Sequence, residues 1–184
     1  HAKDGRDLGL MCCTGTFAPY TVVNEAPCIK IDDWIPLETA ALVGCGVTTG
    51  WGAATYAAKV ESGDTAVVIG LGGIGMNAVQ GAAMAGARHV VAVDPVEWKR
   101  EKAAEFGATH TASSMEEAQA LVSEITWGAN ADKALLTTGV ATGDLVAPMM
   151  SMVAKGGRGV VVAVAPISQE DVKLNLFDLA MQRK

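Results

Sequence analysis

The stretch Thr65-Ala66-Val67-Val68-Ile69-Gly70-Leu71-Gly72-Gly73-Ile74-Gly75 reads as a buried strand running directly into a glycine-rich turn. Small and β-branched apolar residues, bounded by Gly63-Asp64 before and by glycines after, suit a parallel strand covered on both faces. Residues 76–86 follow as a helix of small side chains that stops at Gly86. The next strand, His89-Val90-Val91-Ala92-Val93, ends at Asp94. The order is strand, tight turn, helix, strand, acid.

Each part of that order suits the holding of a dinucleotide. Gly70 permits the tight turn, Gly72 removes a side chain where a diphosphate must approach the backbone, and Gly75 lets the helix lie close to the strand. The helix start aims unpaired N–H groups at the phosphates. Asp94, 19 residues beyond Gly75, stands at a strand end. There its carboxylate accepts hydrogen bonds from ribose hydroxyls and repels a 2′-phosphate, which favours NAD over NADP. Asp94 before Pro95 equally suits a turn or helix-capping role, and the two roles are compatible.

Working outward, 184 residues suit one domain, or one domain and part of a second. Half of the residues are hydrophobic and only 18% are charged, which excludes a disordered chain. A net charge of −6 and an isoelectric point near 5.0 argue against a nucleic-acid partner. No apolar run reaches the roughly 20 residues of a membrane span. The four cysteines, Cys12, Cys13, Cys28 and Cys45, show no C-x-x-C spacing, so reduced thiols in a cytoplasmic protein are expected. Neither end carries a cap or terminal signal, and the chain reads as a fragment of a longer protein.

Before the central unit, residues 16–23 and 28–31 read as two short strands joined by the turn Asn24-Glu25-Ala26-Pro27. Too short to fold alone, they are assigned to another domain's sheet. Residues 36–43 read as a short helix that stops at Gly44-Cys45-Gly46, and residues 47–58 as a second helix. Glycine on both sides of Cys45 leaves its sulfur free to enter a cleft, although a buried small hydrophobe fits the same pattern.

Beyond Asp94, residues 97–106 read as an amphipathic helix closed by Gly107, followed by an extended piece around residues 109–112. Ser114 and Glu117 form a capping box for a helix with the apolar stripe Ala118, Leu121, Val122 and Ile125. Residues 132–139 form a strand and its exit turn. A helix then runs through Leu145, Met149 and Val153 to Gly156-Gly157, bent at Pro148. Residues 159–164 are the last strong strand, and residues 172–176 a further edge strand able to pair with a second copy. Alternating strands and helices give an α/β protein with a doubly wound parallel sheet. Five strands are expected here where a full dinucleotide fold has six.

Four landmarks lie in one order: Phe17 to Val23, Gly44-Cys45-Gly46-Val47-Thr48-Thr49-Gly50-Trp51-Gly52, Gly70 to Gly75, and Asp94 with Lys99. Together they resemble the zinc-dependent medium-chain alcohol dehydrogenases, in wording most like an actinobacterial branch of nicotinoprotein-type (NDMA-dependent) enzymes. The resemblance implies that residues 1–36 end a GroES-like catalytic domain and that residues 37–184 are an NAD-binding Rossmann domain lacking its last strand. It implies Cys45 as a ligand of a catalytic zinc whose other ligands lie outside the chain, and Thr49 against the nicotinamide. Gly70, Gly72, Gly73, Ile74 and Gly75 would hold the diphosphate of NAD, with Asp94 and Lys99 on the adenosine ribose. Gly139, Val164 and Pro166 would line the nicotinamide end. Lys99 also fits a solvated helix position.

The implied reaction moves hydride between a primary alcohol or aldehyde and NAD, in a cytoplasmic homo-oligomer. Cys12 and Cys13 do not have the spacing of the family's structural zinc lobe, so this chain alone is expected to bind NAD without oxidising alcohols. Two alternatives stand beside this reading: a zinc-free reductase of the quinone or enoyl type, and a non-catalytic NAD-binding module.

Overall fold

The computed structural model describes Gly5, residues 14–168 and residues 171–182. Cys12 and Cys13 lie outside the described residues. Two units are distinguished, His1–Pro36 and Leu37–Lys184.

In the first unit, residues 14–36 contain the expected turn but neither expected strand. The Ala26 N–H donates to Asn24 Oδ1 at 2.8 Å and the Cys28 N–H to Glu25 O at 2.9 Å. A strand needs a partner for its N–H and C=O groups, and the described residues of this unit supply none. Phe17, Tyr20, Val22 and Ile29 accordingly stay exposed.

The second unit opens with one helical run rather than two helices. α1 (Leu37–Leu42) passes through a π turn (Val43–Val47) into α2 (Thr48–Gly52) and a second π turn (Ala53–Ala57). Gly44 and Gly46 do not break it, because glycine at helical dihedrals costs only about 1 kcal/mol against alanine. Packing decides the matter, since a Cβ at Gly50 would overlap Ile74 O and come within 2.7 Å of Asn77 Cβ.

The sheet and its helices follow in alternation: β1 (Thr65–Ile69), α3 (Gly73–Met84), β2 (His89–Val93), α4 (Glu97–Glu105), β3 (His110–Ala112), α5 (Met115–Ile125), β4 (Ala131–Leu136), α6 (Gly143–Ser151) and β5 (Val153–Val161). The five strands are parallel in the order β3-β2-β1-β4-β5. This is the doubly wound α/β sheet that the sequence implies.

β1 is buried along its whole length and serves both faces. Ala66 and Val68 face a core with Ala54, Ala78, Ala82 and Ala103, whereas Val67 and Ile69 face one with Ala118, Val122 and Met149. Alternate side chains point to opposite faces, so one strand feeds both layers.

Several boundaries differ from expectation. α3 begins at Gly73 rather than Met76, because the free helix end lies within the turn itself. α4 buries only Ala103, and Trp98 is exposed, so the helix rests on the sheet by a narrow contact rather than an amphipathic face. α6 ends at Ser151, and Gly156-Gly157 lie inside β5 instead of closing a helix. The register jumps there from Ala131↔Val153 to Lys133↔Arg158, with Gly156 at φ +78. A bulge of that kind absorbs surplus residues without ending the strand.

The strand expected at 159–164 therefore starts earlier and ends at Val161. The edge strand expected at 172–176 does not form; Asn175 Oδ1 accepts from the Phe177 and Asp178 N–H groups and starts α7 (Leu176–Gln182). An asparagine at that point competes for backbone donors that a strand would need.

Candidate functional site

The strand order reverses between β1 and β4, and a crevice opens beyond their C-terminal ends. A cleft of 510 Å³ lies there, lined by the Gly70 to Ile74 turn, Asp94, Pro95 and Lys99, Ser113 to Met115, Thr137 to Gly139, and Val162 to Val164.

Two glycines of the turn, Gly70 and Gly75, cannot be replaced without collision. Gly70 has φ +94, and a Cβ there would come within 2.8 Å of Thr138 N and Cα. A Cβ at Gly75 would overlap Gly70 O, so α3 begins in direct contact with the turn. Gly72 and Gly73 differ: a Cβ at either would meet no protein atom within 4 Å. Their missing side chains leave open space on the cleft side.

α3 enters from Gly72 at φ −84 and ψ −165, with no side-chain cap. The Met76 N–H donates to Gly72 O at 2.9 Å, so the amides of Gly73 and Ile74 precede the helical ladder. Unpaired N–H groups at a helix N-terminus form an anion site, reinforced by the helix dipole.

Asp94 faces this turn and is only 6% exposed. Its Oδ2 accepts the Leu71 N–H at 2.9 Å and its Oδ1 accepts the Val96 N–H at 2.9 Å. Lys99 Nζ stands 3.4 Å from Oδ2. Arg100 donates to the Asp94 and Pro95 carbonyls at 2.7 and 2.9 Å, which fixes the loop leaving β2. Of the two local roles the sequence allows, the structure shows the turn and not the cap: Val96 is the N-cap of α4 without a side-chain bond, and Asp94 closes the turn before it, its two oxygens keeping lone pairs for further donors.

Beside Asp94, whose N–H donates to Ala112 O at 3.1 Å, Ser114 Oγ accepts the Glu117 N–H at 3.2 Å, as a capping box requires. The reciprocal bond is shifted by one residue, because the Glu117 carboxylate takes the Ser113 N–H at 2.7 Å and the Ser113 hydroxyl at 2.6 Å. These bonds hold the Glu117 carboxyl below its ordinary value, the Ser113 hydroxyl being the largest influence.

Of the residues singled out in the sequence, Gly70, Gly72, Gly73, Ile74, Asp94, Lys99, Gly139 and Val164 line one cleft. Gly75 lies buried beneath it, and Pro166 is exposed and outside its lining. Cys45 is an exposed free thiol in the first π turn, and neither it nor Thr49 lines the cleft. Their helical run nevertheless abuts the start of α3 through Gly46 and Gly50. Among the described residues no three His, Cys, Asp or Glu side chains are grouped so as to hold a metal. These residues therefore do not by themselves fit a zinc centre.

Sequence reasoning did not single out Thr137. Its hydroxyl lies 2.7 Å from Gly70 O and 3.0 Å from Ile69 O, and the side chain is buried. A polar residue directly after the apolar run of β4 was the available signal.

A family model described as zinc-binding dehydrogenase matches residues 73–184. The chain belongs to the zinc-binding dehydrogenase family. Among curated relatives, the NDMA-dependent alcohol dehydrogenase of Amycolatopsis methanolica is 53% identical over 163 residues, covering 89% of this chain and 44% of the relative. Alcohol dehydrogenase B of Mycobacterium tuberculosis H37Rv is 45% identical over 180 residues, covering 98% of this chain and 48% of the relative. The chain spans about half the length of the curated relatives it matches.

Benzyl alcohol dehydrogenase of Acinetobacter calcoaceticus superposes with a TM-score of 0.77 at 31% identity, over 85% of this chain and 42% of that one. Membership of the zinc-binding dehydrogenase family supports a nucleotide cofactor. No helix among the described residues is long and apolar enough to cross a membrane.

Proposed function

We propose that the chain is the NAD-binding portion of an alcohol dehydrogenase that passes hydride between a primary alcohol or aldehyde and the nicotinamide. The observation that carries this reading is the open glycine turn at the α3 N-terminus, set opposite a buried acid.

The Gly73 and Ile74 amides would receive the diphosphate, and the open space beside Gly72 and Gly73 would admit its oxygens. Asp94 would accept the adenosine ribose hydroxyls, with Lys99 beside it. Gly139 and Val164 would border the nicotinamide, with Thr49 on the neighbouring helical run. Pro166, outside the cleft lining, keeps only the support of the family resemblance. NAD supplies the hydride acceptor when bound. The residues of this chain bind and orient it and screen it from water, with Leu145, Val162 and Ala163 as the apolar wall.

NAD rather than NADP is supported by Asp94, whose carboxylate would repel a 2′-phosphate. A related dehydrogenase structure from Sinorhizobium meliloti 1021, 26% identical, has NADP bound, so the acid and not the fold argues for NAD. Cys45 as a zinc ligand rests on the family resemblance. Self-association is supported by β5, whose outer edge has no strand partner among the described residues. A cytoplasmic setting is supported by the free thiols Cys28 and Cys45.

The test is a fluorescence titration of the purified chain with NADH and NADPH. Saturable NADH binding at least tenfold tighter than NADPH binding is the expected result, on the order of one lost charge-assisted contact. Absence of NADH binding overturns the reading. Preference for NADPH shifts it to the reductase alternative.

A further inference from the structure

The peptide joining Gly70 to Leu71 is held at both ends. Its N–H donates to Asp94 Oδ2 at 2.9 Å, and its C=O lies 2.7 Å from the Thr137 hydroxyl. A trans peptide points these two groups in opposite directions, so Asp94 and Thr137 grip the turn from opposite sides.

The Thr137 hydroxyl has a single hydrogen to give. Ile69 O already receives the Thr137 N–H at 2.8 Å, whereas no other donor to Gly70 O occurs among the described residues. The hydroxyl therefore donates to Gly70 O, and both groups lie against Gly75, where an added Cβ would meet Gly70 O and Thr137 Oγ1. Glycine at position 70 does not by itself choose between the two orientations of the peptide that follows it. Reversed, that peptide would set its carbonyl oxygen against the Asp94 carboxylate and its N–H toward Thr137, undoing both bonds that hold the entry to α3.

Resting on the NAD-binding reading, we propose that Thr137 is a positioning residue: its hydroxyl, with Asp94, pins the Gly70–Leu71 peptide so that the α3 amides stay aimed at the cofactor diphosphate. Asp94 touches the ribose in that reading, and Thr137 acts only through the turn.

The test uses the purified chain and its Thr137→Val and Thr137→Ser variants, with NADH, ADP-ribose and adenosine as probes. Valine keeps the volume and removes the hydroxyl; serine keeps the hydroxyl. Affinity for NADH and ADP-ribose is expected to fall about tenfold in Thr137→Val, the scale of one net hydrogen bond, with serine restoring it. Adenosine, which lacks the diphosphate, is expected to bind all three proteins equally.

Equal losses for adenosine and ADP-ribose, or none for either, overturn the proposal. Wild-type chain that binds neither NADH nor ADP-ribose instead overturns the NAD-binding reading on which it rests. Should Thr137→Val not fold, Thr137→Cys, with a weaker thiol donor, takes its place and is expected to show a smaller loss of the same selectivity; a non-selective loss or none counts against the proposal.

Discussion

Gly72→Ala separates the binding role of the turn from its folding role. Gly72 has φ −84 and ψ −165, extended dihedrals open to alanine, and an added Cβ meets no heavy atom within 4 Å. Folding should not suffer. Alanine at a compatible position removes freedom from the unfolded chain and stabilises by about 0.4–1 kcal/mol. Binding should suffer, because the methyl group would stand where phosphate oxygens must come within about 3 Å of the α3 amides. Losing one charge-assisted bond of about 1.5–3 kcal/mol weakens NADH binding roughly 10- to 100-fold. Urea unfolding followed by circular dichroism gives the first quantity and NADH fluorescence the second. Wild-type affinity for NADH in Gly72→Ala would refute the reasoning, because the diphosphate would then not pass over that residue.

Gly75→Ala is the converse: its Cβ overlaps Gly70 O and lies 2.9 Å from Thr137 Oγ1, so an overpacking cost of about 1–3 kcal/mol should lower the urea midpoint along with NADH affinity. Asp94→Asn leaves the Leu71 or Val96 N–H facing an amide that has one acceptor oxygen; NADH binding should weaken and the NADH/NADPH preference narrow, measured by paired titrations. Ser113 bonding depresses the Glu117 carboxyl below its ordinary value of 4.5, so its stabilisation is full above that value and fades as pH falls through the lower folded value. Glu117→Gln should flatten that acid limb in unfolding midpoints measured against pH. His89 is held below 6.5, chiefly by burial and then by Arg88 and His110. Protonation then favours the unfolded chain, and wild type should lose stability relative to His89→Gln as pH falls below 6.5.

The order of strands and helices was legible because each central element carries a local signal. β1 and β2 are short apolar runs between turn residues, Gly86 and Gly107 take positive φ where helices stop, and Ser114 caps α5 through its own hydroxyl. The glycine turn and Asp94 were legible for the same reason, since backbone conformation at such positions depends on residue type.

What failed lay where neighbours outweigh local preference. The run through Gly44 and Gly46 stays helical because Gly50 packs on α3, and the chain after Ser151 becomes strand because β4 offers an edge. Residues 16–23 and 28–31 have strand composition without a strand to pair with among the described residues of their unit.

By itself, the sequence determined the alternation of elements, the parallel sheet and the glycine-rich turn after β1, because periodicity, glycine dihedrals and caps act over a few residues. Only the tertiary structure decided that Thr137, 67 residues away, bonds the Gly70 carbonyl, and that Asp94 spends part of its carboxylate on the turn it faces. Hydrogen bonds between distant segments depend on which strands lie side by side, and no local pattern carries that pairing.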